Sequence, residues 1–334
     1  ERDSAYTSSW ARSLNDIRVD ESADSKASGD AAQNMEESST AAADTGMASG
    51  SYSETNVRQE GVDEGDTAKT DGTYLYVLKD KSDQIAIIDT RDNRMKQTAT
   101  ITVEDVSEIQ EMYLDIERNQ LIAVCDGYVG GKWNDDDYGY GQRANTTAVT
   151  YDISDRENPK EVGRVSQSGY YNSSRIADGY LYLFSDYYVT LDGITAKNPK
   201  SYIPLVNDNL IKETDICLPS ISKADMYSII TSVSLENPNE TAHSKALLAD
   251  GGNLYVSNDN IYFYENVWQY SGKDVTTIRK VSYESGKLTA GAQCKIDGYI
   301  NDSFSIDEYD GYLRVVVTDG DTNSVYVLNQ ELKE

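Results

Sequence analysis

From Asn56 onward the chain alternates short apolar runs with polar turns. "YLYVL" (74–78), "LIAVC" (121–125), "YLYLF" (180–184), "NLYVS" (253–257) and "YLRVVV" (312–317) have strand length and strand composition. A second apolar run follows each of them: "IAIIDT" (85–90), "AVTYDIS" (148–154), "SIITSVSL" (228–235), "IYFYE" (261–265) and "SVYVLN" (324–329). Polar turns come next, twice as Glu-Asn-Pro (157–159 and 236–238), and then third runs such as "KQTATITV" (96–103) and "KEVGRVS" (160–166). Asp-Gly pairs recur at 71–72, 126–127, 178–179, 192–193, 250–251, 297–298, 310–311 and 319–320. Asp-Gly supplies the positive φ angles of tight hairpin turns. Four short antiparallel strands per unit, repeated at intervals of roughly 45–75 residues, predict an all-β fold, a β-propeller of four-stranded blades. The inner strands are placed at 74–78, 121–125, 181–184, 254–257 and 313–317. Their nearly continuous apolar character fits blades covered on both faces. A sandwich or a pair of small barrels leaves the recurring register unexplained.

Residues 1–51 lack this texture. "DESADSKASGDAAQNMEESSTAAADTGMASGS" has almost nothing to bury, and it is expected to be an acidic, mostly disordered linker or stalk. The propeller domain is assigned to 52–334, about four to five repeats. The last repeat begins at Leu313 without finishing, which predicts an incomplete or open propeller whose unfinished blade edges invite self-association.

Charge narrows the function. Asp and Glu number 57 against 30 Lys and Arg, a net −27. That balance repels phosphate backbones and anionic lipid, so nucleic acid is not an expected partner. No run is long and apolar enough for a membrane helix, so no integral membrane segment is expected. The 26 Tyr against 3 Phe and 3 Trp suggest many half-exposed strand positions. Cys125, Cys217 and Cys294 form no Cys-x-x-Cys pair, and a single bridge between two of them is left open.

Chemistry is sparse. The one histidine, His243, lies in the polar stretch "NETAHSK" and reads as an exposed loop residue. With one His, histidine-based zinc sites and catalytic triads are excluded, and no catalytic residue is assigned. Two long stretches could carry ligands. "GGKWNDDDYGYGQR" (130–143) sets Trp133, Tyr138 and Tyr140 beside Asp135 and Asp137, a mix suited to sugar or peptide, against a plain solvated hairpin tip. Residues 185–227 read as an excursion over one end of the propeller. Calcium is the one cofactor that the acidic clusters suggest. Its candidate ligands are Asp63, Glu64 and Asp66, and, in "VTDGDTN" (317–323), Asp319, Asp321 and Asn323. Neither spacing is that of an EF-hand, and both stretches also read as turns.

"YSETNVRQEGVDEGDTAKTDGTYLYVL" (52–78) closely resembles the opening of the secreted β-propeller domain proteins of bacteria and archaea, distant relatives of WD-repeat propellers. Asn56, Val57, Glu60, Gly61, Val62, Asp63, Glu64, Asp66, Lys69, Thr70, Asp71 and Gly72 match its pattern, while Arg58 and Gln59 depart from it. "INDSFSIDEYDGYLRVVVTDG" (300–320) is similar to a second family stretch. The resemblance covers about 56–334. It implies a partial propeller, because family members continue through further repeats. "SETNVRQ" would then be an outer strand that closes the ring. The resemblance brings no assigned activity. The function expected is a non-catalytic, extracellular interaction module, secreted or anchored at the cell surface, that binds protein or glycan through its loops. The competing readings are a carboxylate-based polysaccharide hydrolase and a calcium-stabilised structural surface protein.

Overall fold

The computed structural model describes residues 57–80, 82–91, 95–128, 144–189, 197–218, 225–249, 252–267 and 274–334. The linker assigned to 1–51 lies outside them. Five sheets, antiparallel apart from one short added strand, follow one another along the chain. The first has β1 (Ala68–Thr70), β2 (Tyr74–Leu78), β3 (Gln84–Asp89) and β4 (Lys96–Thr102) in sequence order. The second has β5 (Glu108–Asp115), β6 (Gln120–Tyr128), β7 (Ala144–Asp152) and β8 (Lys160–Ser168). The third has β9 (Tyr170–Ala177), β10 (Tyr180–Tyr188), β14 (Met226–Ser234) and β15 (Thr241–Ala249). The long connection before β14 adds β11 (Leu205–Val206) and β12 (Asn209–Leu210) beyond β8, and β13 (Ile216–Cys217) parallel to β15. So the described part of the excursion extends the outer edges of two sheets. The fourth sheet has β16 (Asn253–Val256), β17 (Asn260–Val267), β18 (Val275–Glu284) and β19 (Lys287–Asp297). The fifth has β20 (Ile306–Tyr309), β21 (Tyr312–Asp319) and β22 (Thr322–Leu328). This is an all-β, open propeller, and each sheet is a blade.

The five predicted inner runs fall in five different sheets, but as second strands in four of them. In the fourth blade "NLYVS" forms the first strand, β16, and "IYFYE" the second. The repeat register is therefore off by one strand there, because β16 is as apolar as the second strands elsewhere. Asp-Gly builds tight turns with both φ values positive at Asp178-Gly179 and Asp310-Gly311. Asp126-Gly127 instead lies within β6.

Four buried clusters fill the four seams between successive blades. Tyr76, Ile85 and Ile87 of the first blade meet Leu121, Ala123 and Val149 of the second. Ile122 and Val124, the alternate residues of the same β6, meet Leu181, Leu183 and Ile229 of the third. Tyr182, Phe184 and Ile230 meet Ile261, Phe263 and Val281. Tyr262, Tyr264 and Ile278 meet Leu313, Val315 and Leu328. Successive residues of one strand point to opposite faces, so a strand between two seams must be apolar at every position.

The tyrosines correct a sequence expectation. Tyr76, Tyr113, Tyr182 and Tyr262 are fully buried rather than half-exposed. Each ring fills a seam while its hydroxyl reaches a polar group, often across that seam. Tyr182 Oη accepts Gly286 N–H of the next blade at 3.2 Å. Arg156 Nε of the second blade donates to Tyr76 Oη at 3.2 Å, and its Nη2 reaches Asp71 at 3.1 Å. His243 is likewise no loop residue. It sits in β15, where its Nδ1 accepts Leu288 N–H of the fourth blade at 2.9 Å. That bond leaves Nε2 as the donor to Asp215, 3.2 Å away.

The N-terminal stretch binds the blades in a second way. Arg58 Nη2 donates to the Ile306 carbonyl of β20, and Gln59 bonds Asn258 before β17. Asp63 and Ile176 of β9 exchange backbone bonds of 2.8 and 3.0 Å. Asp66 and Met112 of β5 exchange bonds of 3.1 and 3.0 Å. Thus 58–66 passes from the fifth blade to the second along first strands, and then enters β1. The expectation of an outer closing strand at 52–59 is corrected for its described part: Arg58 reaches the first strand of the fifth blade and Gln59 the β16–β17 turn of the fourth, and among the described residues β22 pairs with β21 alone. Residues 52–56 lie outside the described residues.

Blades two and three approach closely at Gly163, where an added Cβ would lie 2.5 Å from Pro238 Cβ and 2.6 Å from its backbone. The wall opposite is backbone and cannot swing away. Gly163→Ala is expected to destabilise the domain by about 1–3 kcal/mol. Urea denaturation monitored by tyrosine fluorescence checks this; an unchanged midpoint would contradict the close seam.

Candidate functional site

Hairpin turns of the third, fourth and fifth blades meet at one face of the propeller and enclose a cleft of about 830 Å³. Asp178 comes from the β9–β10 turn, Asn258 and Asp259 from β16–β17, and Glu284 and Lys287 from the ends of β18 and β19. Tyr309, Asp310 and Gly311 come from β20–β21, and Gln59 enters from the N-terminal stretch. Turn residues are polar because a tight turn needs Asp, Asn or Gly, so clustered turns give a polar cleft.

The floor is held by Glu308. Its carboxylate accepts Ser257 Oγ at 2.5 Å, Asn260 Nδ2 at 2.9 and 3.0 Å, and Gln330 Nε2 at 3.1 Å. The Tyr262 hydroxyl donates to it as well; burial and the Glu308 charge push that phenol far above its usual range. Lys280 Nζ braces Gln330 through its carbonyl and Oε1, at 2.8 and 2.6 Å, and burial pulls its ammonium below the usual value. Four donors leave the Glu308 carboxylate no lone pair to spare for a substrate. The rim differs: Asp178, Asp259, Glu284 and Asp310 are exposed, and among the described residues none of them is ion-paired. Tyr309, 67% exposed, stands beside them.

Carboxyls whose pKa is raised lie elsewhere, at the seams. Asp186 occupies β10 with no cation beside it; it accepts Asn172 Nδ2 at 2.7 Å and Ser228 Oγ at 3.1 Å. Burial raises its pKa to about 6. Asn172 Nδ2 also donates to the Gly252 carbonyl, 2.6 Å away, at the start of the fourth blade. Asp126 holds the equivalent place in β6. It accepts Tyr171 N–H of the third blade at 2.8 Å, and burial raises its pKa too. Asn266 holds it in β17 and grips both Ile300 N–H and its carbonyl, at 3.0 and 2.8 Å. One side-chain position thus fastens the crossover to the next blade three times over. The backbone bonds of Asp126 and Asn266, and the relay from Asp186 through Asn172 to Gly252, mark these groups as clamps of the fold.

The candidate residues from the sequence separate. Trp133, Asp135, Asp137, Tyr138 and Tyr140 lie outside the described residues. Asp63 pairs with Lys69 at 3.5 Å and Glu64 with Arg175 at 3.1 Å, while Asp66 caps its neighbour Thr67 N–H at 2.7 Å. Asp319 and Asp321 flank the positive-φ Gly320 in the β21–β22 turn, where Asn323 accepts the Thr318 hydroxyl at 2.9 Å. Among the described residues no group of three or more His, Cys, Asp or Glu gathers in a metal-ligating arrangement. The three cysteines are free thiols. Sequence reasoning missed the cleft. Its one signal was that the polar turns at 178–179, 258–259 and 310–311 all connect a first to a second strand, which puts them on one face.

Residues 52–334 match the family model described as Beta propeller domain. An uncharacterised protein of Methanocaldococcus jannaschii is 23% identical over 84% of this chain and 53% of its own length. A second, from Archaeoglobus fulgidus, is 33% identical over 27% of this chain and 14% of its own. The chain thus spans about half of the first relative and a smaller part of the second. Among solved structures, Kuenenia stuttgartiensis hydrazine synthase aligns over 78% of this chain and 62% of its own, with TM-score 0.37 and 11% identity. The WD40 domain of Toxoplasma gondii coronin aligns over 80% and 57%, with TM-score 0.36 and 8% identity.

The Asp186 clamp makes stability depend on pH. A folded-state pKa raised from 3.8 to about 6 favours the folded state in acid, and that contribution is lost as pH rises from about 4 to about 6. Asp186→Asn keeps an acceptor for Asn172 and removes the charge. The variant is expected to be more stable than the parent at pH 7.5, by on the order of 2 kcal/mol, with the difference vanishing near pH 4. Paired urea titrations across pH 4–8 check this; parallel curves would refute it.

Proposed function

The chain belongs to the Beta propeller domain family, and we propose that it is a non-catalytic binding module whose partner is a protein, held through a basic segment in the cleft of blades three to five. The observation that carries this reading is the rim of that cleft. Asp178, Asp259, Glu284 and Asp310 face Lys287 alone among the cations lining it. Lys and Arg side chains satisfy exposed carboxylates at little desolvation cost, and a strongly acidic molecule steers such partners inward. The net −27 adds to that field. The resemblance of 52–78 to the opening of secreted propeller proteins is what supports a secreted or cell-surface location.

The hydrolase reading is weaker. A carboxyl acid needs a proton and an approach to substrate, whereas Glu308 is saturated by donors and Asp186 is enclosed in a seam. A glycan remains the second reading on one observation, the exposed Tyr309 ring beside carboxylates, which suits stacking on a sugar face. The calcium role proposed from Asp63, Glu64, Asp66, Asp319, Asp321 and Asn323 would need Asp63, Glu64, Asp66 and Asn323 to leave their present partners.

Titration calorimetry with basic, acidic and neutral peptides and with a glycan array tests the assignment. Basic peptides are expected to bind, and raised salt to weaken them. Asp259→Asn with Asp310→Asn should weaken them roughly 3- to 30-fold; Asn tolerates the left-handed backbone at 310. Binding of neutral glycan alone, lost on Tyr309→Ala, would replace the protein reading with the glycan one.

A further inference from the structure

The strands of the second blade outrun those of the first. β7 and β8 are nine residues long, whereas β3 and β4 have six and seven. Val149 and Tyr151 of β7 are covered by the first blade and join its buried cluster. Thr147 and Asn145, at the next alternate positions, point the same way and line a cleft instead. The register sets Ser166 opposite Thr147 and Ser168 opposite Asn145. A row of small polar side chains thus continues a face that is apolar where the first blade lies on it. Glu104 and Asp105, in the crossover from β4 to β5, and Leu205, Asn207 and Asp208, in and after β11, complete the walls. The cleft has a volume of about 740 Å³. It lies where β6 ends and β7 begins, at the opposite ends of the strands from the turns around Asp178, Asp259 and Asp310.

We propose that this cleft is a second binding site and that its ligand is a neutral saccharide. The walls are already satisfied. Ser168 Oγ accepts Leu205 N–H at 2.9 Å, and Asn207 Oδ1 accepts Ser166 N–H at 2.9 Å. Arg164 donates twice to Glu161 at 2.9 Å and once to the Glu104 carbonyl at 3.2 Å. The floor is not satisfied. Asn145 Oδ1 is buried without a hydrogen-bond partner, and among the described residues the Thr147 and Ser166 hydroxyls have none either. Thr147 is 3% exposed. A polar side chain so enclosed and unpaired costs stability, and a ligand that bonds it lowers that cost. Gly127 keeps room for the Asn145 amide, since a Cβ there would lie 2.7 Å from Asn145 Oδ1. The lining selects the ligand. An amide and two hydroxyls both give and accept hydrogen bonds, and a sugar hydroxyl does the same. An ammonium only donates, and it would stop at the exposed carboxylates of Glu104, Asp105 and Asp208. Those carboxylates repel an anion, because among the described residues Arg164 is the one cation lining the cleft and Glu161 engages it. An apolar ligand would leave the floor unpaired. The volume falls within the range of small-molecule sites. The site shares no residue with the cleft of blades three to five, so binding of a basic segment there neither requires it nor excludes it.

Saturation-transfer NMR on the full chain is the test. The probes are glucose, galactose, mannose and N-acetylglucosamine, each at about 10 mM to reach weak binding, with putrescine and triglycine alongside. At least one sugar is expected to receive saturation, with little change between low and high salt, because it carries no charge. Thr147→Val keeps the shape and removes the hydroxyl, and should weaken that sugar about 3- to 10-fold. Gly127→Ala pushes the Asn145 amide aside and should weaken it as well. Asp259→Asn with Asp310→Asn, in the other cleft, should leave it unchanged. Each variant is checked first for unchanged circular dichroism and melting temperature, and Ser166→Ala replaces Thr147→Val should that chain fail to fold. The proposal is overturned if no sugar receives saturation, or if putrescine or triglycine alone does. A sugar signal indifferent to Thr147→Val overturns it too. So does one lost with the Asp259 and Asp310 pair, which would put the sugar in the cleft of blades three to five.

Discussion

A four-stranded sheet with two apolar faces is stable only when both are covered, and the rest of this molecule follows from that constraint. Each seam is a continuous layer in which alternate residues of one strand serve opposite neighbours, as Leu121 and Ile122 do. Such layers must be filled to their rims, where turns and crossovers make the surroundings polar. Tyrosine solves both ends at once: the ring fills the layer, and the hydroxyl ends among polar groups. The excess of tyrosine over phenylalanine is thus a consequence of seam geometry. Where a side chain will not fit at all, glycine stands, as at Gly163 against Pro238 and at Gly252, whose Cβ would lie 2.3 Å from Asp186 Oδ2.

Polar groups then fix how the layers are stacked. Apolar packing alone lets two faces slide, since it has little direction. Directed bonds across the seams remove that freedom: His243 to Leu288, Tyr182 to Gly286, Asp126 to Tyr171 and Asn266 to Ile300. Burying Asp186 without a cation costs stability at neutral pH, and its link through Asn172 to Gly252 is what that cost secures. The stretch 58–66 adds a long-range tie, because one extended segment bonds in turn to elements of the fifth, fourth, third and second blades. Its acidic residues serve the crossing: Asp63 and Glu64 meet Lys69 and Arg175 while their backbone meets the blades.

The cleft is a by-product of the same layout. First-to-second-strand turns of successive blades converge on one face, and tight turns select Asp, Asn and Gly. Neighbouring turns therefore bring carboxylates together with no pairing requirement among them. Glu308 shows the contrast. Placed one turn deeper, it is drawn into the seam by Ser257, Asn260 and Gln330 and holds blade four to blade five. Depth, more than residue type, divides carboxylates that brace the fold from those open to a partner.

Strand content, blade repeats and the family were legible in the sequence, because burial of both faces writes continuous apolar runs and tight turns write Asp-Gly. The family resemblance rested on 52–78 and 300–320, local stretches that need no knowledge of contacts. Register failed in the fourth blade, where apolar content alone could not tell β16 from a second strand. His243 was misplaced because a polar neighbourhood in sequence says nothing of the sheet edge across from it. The acidic stretch at 60–66 was open between metal site and turn, since spacing along the chain does not reveal that Arg175 arrives there, nor that Ile176 and Met112 offer their backbone. The cleft was invisible for the same reason: Asp178, Asp259 and Asp310 are far apart in sequence and are brought together only by the angle between blades. Local propensity and periodicity are short-range and belong to the sequence, whereas the meeting of distant charges is fixed by how the blades stack, and only the tertiary structure decides that.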